Sequence, residues 1–306
     1  MAALISDIFS SSALLSLGLY HLICTTRNHL KSPRDYVARP YHPFPLSGSS
    51  SSSPRLKHIQ LYLLILSLLV ALVHQLLTST DSDPLLKGRT PVYHFTSLQS
   101  AAVLFLFLLL SLALLLSDAT SLLPLPSDLL FALASAIFFL QFSASSASAS
   151  VQTSDLQAKC DSISACISAA SALLCLLLAC QPRLFIADVG LGASFCLQGL
   201  WVLQTGLSLY VEAFIPEGCH RLLDVANGVD GSTKCDLEES RLRAVAILDL
   251  VFVLYVLFVV VILLVIYAVV VKTVGLRRFG SYEALPMLTT ADSDHVQMKS
   301  LAGTQA

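Results

Sequence analysis

Charged residues are scarce in this chain, and their scarcity excludes most classes of soluble protein. Only 12% of the 306 residues are Asp, Glu, Lys or Arg, whereas soluble domains carry about 25%. Lys and Arg total 18 against 20 Asp and Glu, so the formal net charge is −2 and offers no basic surface to nucleic acid. The composition predicts a membrane protein that lies in a lipid bilayer and does not bind nucleic acid.

Sequence motifs of catalysis are also missing. The chain contains no G-x-S-x-G, H-E-x-x-H, P-loop or G-x-G-x-x-G sequence, and its many serines lie in low-complexity runs without a paired base. We therefore expect no enzymatic activity and no cofactor or metal. The first ten residues contain no Lys or Arg, which favours a retained first helix over the alternative of a cleaved signal peptide.

Long apolar stretches fill most of the chain and predict an all-α bundle of seven transmembrane helices. A hydrocarbon core of about 30 Å needs about 20 apolar residues in a helix, and backbone groups inside lipid must bond within their own segment. The fourth stretch is short and follows Pro124 and Pro126, so a re-entrant segment and six spans remain the alternative. The predicted spans are Ala3–Cys24, Ile59–Leu77, Phe95–Leu116, Asp128–Phe142, Leu156–Cys180, Phe185–Tyr210 and Ala244–Val271.

The positive charges predict the orientation of this membrane domain, residues 1–278. Six Lys and Arg lie in the Ser-rich loop 25–58, and three more follow the last span, whereas none precedes the first. Because cytosolic loops carry the excess of Lys and Arg, we expect the N-terminus outside or in the lumen. Seven spans then place the C-terminal tail in the cytosol, where residues 279–306 are expected to be disordered.

The same count places the loop 211–243 outside, in the plasma membrane or an endomembrane. It contains Cys219 and Cys235, and two cysteines in an oxidising compartment favour a disulfide over two free thiols. The small-residue run Ser143–Ser150 is interpreted as the link between the fourth and fifth spans.

Several short sequences carry a family resemblance. They are Gly18–His21 at the end of the first span, Gln198–Trp201 in the sixth, and Ile215–Cys219 and Lys234–Ser240 in the loop between the last two spans. Together they resemble the transmembrane protein 45 family (domain of unknown function 716), in particular its plant members. The resemblance implies a seven-helix membrane protein without an established activity, and some plant relatives are described as responsive to viral infection or elicitors. Family members usually carry histidines near the end of the fourth helix, where this chain reads Gln141–Ser146 without any.

Histidines could bind haem or a metal, or relay protons. His21 and His58 are expected near the cytosolic face and His74 and His94 near the outer face, so the four do not predict one tetrahedral metal site. A two-haem arrangement is the functional alternative to histidines that make ordinary hydrogen bonds at the membrane interface.

Aspartates within the spans are the second set of candidates. A charge at the bilayer centre costs about 2.5–3.5 kcal/mol or more, so Asp188 and Asp249 are expected to face the bundle interior. No Lys or Arg is expected at the depth of Asp249. These two aspartates would serve a small-solute or ion transporter, whereas the simpler interpretation is a neutral or solvated side chain bonded to its neighbours.

The sixth span carries a polar stripe with Gln198 and Trp201, and Gly192, Gly199 and Gly206 recur every seven residues. We interpret it as a closely packed helix. In the tail, Tyr282 and Leu285 fit the Y-x-x-Φ sorting pattern. The leading hypothesis is a non-enzymatic scaffold or interaction protein, related to plant stress or defence, with membrane-protein partners or sorting adaptors. A transporter and a haem-binding electron carrier are the alternatives.

Overall fold

A computed structural model describes residues 2–43, 57–80, 91–119, 124–152, 154–224, 229–235 and 237–274. It confirms the all-α class and contains seven helices that are long and apolar enough to cross a membrane. In chain order these are α1 (Ala2–Lys31), α2 (Ile59–Thr80), α3 (Pro91–Ala119), α4 (Ser127–Val151), α5 (Asp155–Cys180), α6 (Phe185–Tyr210) and α7 (Glu238–Val274).

The helices α1 to α6 form a closed ring, because each contacts the next and α6 returns to α1. The helix α7 packs against α1, α5 and α6 and leaves most of its surface exposed. The largest buried side chain of the described residues, Trp201, lies where α5, α6 and α7 meet, in one buried cluster with Leu156, Ile163 and Leu248.

The bundle has two chemically different ends. At one, a 3-10 turn (Glu212–Phe214) and a hairpin of β1 (Cys219–Asp224) and β2 (Val229–Cys235) connect α6 to α7. We call this the disulfide end. At the other lie the C-terminal ends of α1 and α7 and the N-terminal end of α6, with Arg27, Lys31 and Lys272. We call this the basic end.

The fourth helix crosses the bundle completely, which removes the re-entrant alternative. The predicted end at Phe142 and the interpretation of Ser143–Ser150 as a link are both wrong, since α4 continues without a break to Val151. Serine and alanine are small enough to let α5 approach closely there, and Ser148 Oγ donates to Asp161 Oδ2 at 2.8 Å. Ala144 is buried in a different contact, in a cluster with Val103 of α3 and Ile137 of α4.

The loops are correspondingly shorter than predicted. The first helix continues past Cys24 to Lys31, so the first part of the loop 25–58 is helical. The loop 211–243 ends early because α7 begins at Glu238, where Glu238 and Glu239 suit the positive end of the helix dipole. The Ser-rich run of the first loop and the tail 279–306 lie outside the described residues.

The disulfide prediction is confirmed. Cys219 and Cys235 form a disulfide and are opposite each other in the register of the hairpin. The connection holds the base of the hairpin closed, beside the start of α7. Closing a loop of this length contributes on the order of 3 kcal/mol to the free energy of unfolding.

Candidate functional site

The most polar buried cluster that the structure describes is centred on Asp188 at the basic end. Asp188 lies one turn into α6 and is fully buried. Its carboxylate contacts His21 Nε2 at 2.7 Å and accepts hydrogen bonds from Thr25 Oγ1 at 3.2 Å and from the Tyr36 hydroxyl. A buried charge is tolerated only when it is paired and hydrogen-bonded, and these three groups meet that requirement.

Helix spacing explains two of the three contacts. His21 and Thr25 are four residues apart on α1 and therefore lie on one face. That face can approach α6 because a glycine lies at the contact: a Cβ on Gly192 would lie 3.0 Å from Leu22 and 3.1 Å from His21 Cδ2. The seam predicted from Gly192, Gly199 and Gly206 thus packs against α1.

The third contact comes from the segment that follows α1. Residues 32–43, which we call the clamp segment, fold back over the basic end. The Ala38 N–H donates to the Pro182 carbonyl at 2.7 Å, and Tyr36 and Ala38 are both buried. Burial, together with the charge of Asp188 and the hydrogen bond to it, raises the pKa of the Tyr36 phenol above its ordinary value.

A second histidine belongs to the same cluster. The His42 ring lies edge-on to the His21 ring at 5.4 Å and is 8% exposed. Its Nδ1 has no hydrogen-bond partner among the described residues. Burial lowers the pKa of His42 to about 4, the nearby His21 and Arg39 act in the same direction, and Asp188 acts against them.

More aromatic and imidazole rings surround this cluster. His29 stacks on Phe185 with ring centroids 3.9 Å apart, and the Tyr36 ring meets His29 edge-on. His58, at the start of α2, lies beside Tyr41, and its Nδ1 is 3.3 Å from Asp118 Oδ2. Burial, with Asp118 nearby, raises the pKa of Tyr41 to about 12. The basic end therefore collects His21, His29, His42 and His58.

The structure separates the predicted histidines as the sequence expected. His74 lies near the other end of α2, while the backbone of His94 is in the first turn of α3 and its side chain lies outside the described residues. His21 is buried in the bundle and hydrogen-bonded to Asp188. Among the described residues, no group of three or more His, Cys, Asp or Glu side chains is arranged to hold a metal ion.

Asp249 has a different environment from the one expected. The expectation that no Lys or Arg lies at its depth is wrong, because Lys159 Nζ is 2.7 Å from Asp249 Oδ1. The prediction overlooked Lys159, which lies in the first turns of α5 at the level of Asp249. The Asp249 side chain is 54% exposed, so it does not face the bundle interior.

The two aspartates lie far apart. Asp249 is almost one turn from Phe252, whose ring contacts Trp201, and Trp201 is 13 residues from Asp188 along α6. At a rise of about 1.5 Å per residue, this places the levels of the two carboxylates roughly 20 Å apart.

The polar stripe of α6 holds helices together. Gln198 Nε2 donates to Ser164 Oγ at 2.9 Å, and Trp201 Nε1 donates to the Cys160 carbonyl at 2.9 Å. Tyr255 OH donates to Gln204 Oε1 at 2.8 Å and connects α7 to the same stripe. The Gln198 Oε1 atom is buried without a hydrogen-bond partner in the described part of the chain.

Four members of these sites, Thr25, Tyr36, His42 and Lys159, were not predicted from the sequence. Tyr36 and His42 lie in a segment without periodicity, and Lys159 looked like an ordinary residue at a helix start. The predicted sorting residues Tyr282 and Leu285 lie outside the described residues.

Comparison with known families gives one match. Residues 127–268 match the model of a family described as a family of unknown function, DUF716. This is the family that the short sequence motifs suggested, so the resemblance is confirmed. The match runs from α4 into α7 and includes Asp188, but it does not include α1 or the clamp segment. No curated protein matches the chain.

Proposed function

We propose that this chain, whose residues 127–268 match the DUF716 or transmembrane protein 45 family, is a non-enzymatic membrane scaffold whose basic end binds other proteins. The family is described as one of unknown function, so the support for this proposal comes from the residues of the chain itself. A role in plant stress or defence is the physiological setting that we propose with it.

The observation that best supports the scaffold is that the Asp188 carboxylate is already hydrogen-bonded by three side chains of the protein. The carboxylate is held by side chains of α1 and the clamp segment and is fully buried. A carboxylate that binds a solute or passes a proton needs access to water or to the ligand. Here the same group fixes the clamp segment, so that the exposed side chains of Arg34, Asp35 and Arg39 are presented at the basic end.

Orientation follows from the charges on the proposed binding face. We propose that the basic end is cytosolic, because Arg27, Lys31, Arg34 and Arg39 all belong to it and cytosolic loops retain positive charge. The disulfide end then faces the lumen or the cell exterior, where a disulfide is stable. Either an endomembrane or the plasma membrane satisfies this arrangement.

The two alternative functions are less well supported by the geometry. A transporter that uses both Asp188 and Asp249 would need to connect carboxylates at levels roughly 20 Å apart, on the buried and the exposed side of the bundle respectively. For haem, His21 Nε2 is occupied by Asp188. We therefore retain the scaffold as the leading proposal.

The test is site-specific photo-crosslinking of the full chain in native membranes. A photo-reactive residue replaces Arg34, which is exposed at the basic end, and in a second chain it replaces Leu63, which is exposed on the apolar face of α2. We expect defined protein adducts from position 34 and lipid adducts from position 63. Tyr36→Phe removes the hydroxyl that holds the clamp segment and should weaken the protein adducts, whereas Tyr62→Phe on exposed α2 should not.

Flux measurements give the opposing result. If the purified chain in sealed liposomes conducts protons or another ion, and Asp188→Asn abolishes that flux in correctly inserted protein, the scaffold proposal is wrong and the transporter takes its place. Adducts at position 34 that are insensitive to Tyr36→Phe would also contradict the role given to the clamp segment.

A further inference from the structure

A second polar site lies at the disulfide end, on the surface of the bundle where α4, α5 and α7 meet. A cleft of about 500 Å³ opens there. Its polar walls are formed by Ser146 and Ser150 from α4, Asp155, Lys159 and Ser162 from α5, and Arg241 from α7.

The charges around this cleft have both signs. Lys159 is paired with Asp249 at 2.7 Å, and Arg241 NH1 is 3.4 Å from Asp155 Oδ2. Arg241 also contacts Glu238 at 2.7 Å. An anionic ligand would meet these acids as well as the two cations, whereas a ligand with one positive and one negative group can contact both kinds of side chain.

The depth of the cleft suits a lipid headgroup. Lys159 and Arg241 lie within the first five residues of α5 and α7. In helices that cross a bilayer, we expect such positions to lie near the edge of the hydrocarbon. Leu242, Val245, Asp249 and Val253 lie on one face of α7, and this stripe continues through Val256 and Val260. Val253, Val256 and Val260 are exposed, so an apolar surface for acyl chains leads away from the charged cleft towards the bundle centre.

We propose that this cleft binds the headgroup of a zwitterionic phospholipid from the leaflet at the disulfide end. The phosphate contacts Lys159 and Arg241, and the ammonium group contacts Asp155. The acyl chains lie along the exposed valines of α7. This site is separate from the Asp188 cluster, and the proposal does not depend on the scaffold function.

The test is native mass spectrometry of the full chain, released from nanodiscs that contain equal amounts of phosphatidylethanolamine, phosphatidylcholine and phosphatidylglycerol. We expect one retained lipid per chain, with the two zwitterionic lipids favoured over the anionic one. Arg241→Gln should lower the retained fraction roughly ten-fold, which corresponds to about 1.4 kcal/mol. Arg243→Gln, at an exposed arginine two residues further along α7 that bonds the Glu217 carbonyl, should leave it unchanged.

A second variant separates a site from general loss of structure. Ser162 is exposed on α5 and lines the cleft, so Ser162→Leu fills the headgroup space and leaves the packed faces of the helix intact. It should release the lipid without lowering the melting temperature of the lipid-free protein. Equal retention of all three lipids, preference for phosphatidylglycerol, or retention unaffected by Arg241→Gln and Ser162→Leu would each overturn the proposal.

Discussion

At the scale of single residues, Asp188 is the side chain whose removal we expect to cost most. Asp188→Ala leaves His21, Thr25 and Tyr36 buried without their shared acceptor, and each buried donor left without a partner costs about 1–3 kcal/mol. Unfolding of the purified chain in detergent can be followed through the fluorescence of Trp201, the one tryptophan of the sequence.

The matched control for this prediction is Asp128→Ala. Asp128 is exposed in the first turn of α4, and substitutions at such positions change the free energy of unfolding by about 0.5 kcal/mol or less. Equal effects of the two substitutions would show that the Asp188 contacts do not stabilise the bundle.

The same residue shows what sequence can and cannot reveal about the site. An aspartate in a predicted span is unusual enough to be selected directly, because burying a charge is costly. Its partners could not be found, since His21 and Tyr36 are 167 and 152 positions away in the chain and only the packing of α1 on α6 brings them together. Tyr36, in addition, lies in a segment with no periodic pattern.

His42 predicts a pH dependence of stability. In the unfolded chain its pKa is about 6.5, whereas in the folded chain burial lowers it to about 4. Between these values the unfolded state binds more protons, so the free energy of unfolding falls as the pH is lowered from about 6.5 to about 4, by on the order of 3 kcal/mol from this group. His42→Phe keeps a ring against His21 and should remove that part of the slope.

The quantity to measure is the difference in the free energy of unfolding between the unmodified chain and His42→Phe at each pH. The pH dependence of one protein alone is not enough, because His21, Asp188 and Arg39 surround His42 and contribute as well. Unfolding curves at several pH values within this window, recorded for both chains, give the difference. Parallel pH profiles of the two proteins would mean that His42 has the same pKa in the folded and the unfolded chain, which would contradict this prediction.

At the scale of helices, the contact between α1 and α6 depends on glycine. A Cβ on Gly18 would lie 2.6 Å from Cys196 Sγ, 2.8 Å from the Cys196 nitrogen and 2.9 Å from the Gly192 carbonyl. Two of these atoms are backbone, so the helices must move apart to admit a methyl group. We expect Gly18→Ala to lower the free energy of unfolding by about 1–3 kcal/mol, as overpacking does in other closely packed interiors.

Gly190 provides the control on α6 itself. A Cβ there would lie 3.1 Å from the end of the flexible Leu174 side chain, and alanine has a higher helix propensity than glycine by about 1 kcal/mol. Gly190→Ala should therefore be neutral or stabilising. If Gly18→Ala were equally neutral, the close approach of α1 to α6 would not be needed for stability.

Helix number and order could be read from the sequence because lipid imposes a minimum apolar length on every span. Helix ends could not, and α4 shows why. Its last two turns, Ser143–Val151, consist of serine and alanine up to the final valine and contain no Leu, Ile or Phe, so hydropathy predicts a link there. In the structure these turns pack against α5, and Ser148 donates a hydrogen bond to Asp161. A count of apolar residues along α4 does not include such contacts with another helix.

At the scale of the whole molecule, the odd number of spans determines which chemical groups share a side of the membrane. Seven helices place the Cys219–Cys235 hairpin and the end of α7 at opposite ends of the bundle. In the proposed orientation, the positive residues make the basic end the cytosolic one. Whether the number of spans is odd or even depends on every span. If α4 did not cross the membrane, every loop after it would lie on the opposite side.

This arrangement predicts the labelling of two introduced cysteines in sealed cells. In a chain whose Cys24, Cys166 and Cys180 are serines, Glu212→Cys places a thiol at the disulfide end and Thr273→Cys places one at the basic end, both at exposed positions. A maleimide that cannot cross membranes should label position 212 of cell-surface protein directly, or of lumenal protein once that compartment is opened. It should label position 273 only from the cytosolic side.

Labelling of both thiols from one side is incompatible with seven spans. If the two positions exchanged their accessibility, the fold would stand but its orientation in the membrane would be reversed. That reversal would place the clamp segment and its arginines away from the cytosol, so this experiment also decides on which side of the membrane a partner of the basic end must be sought.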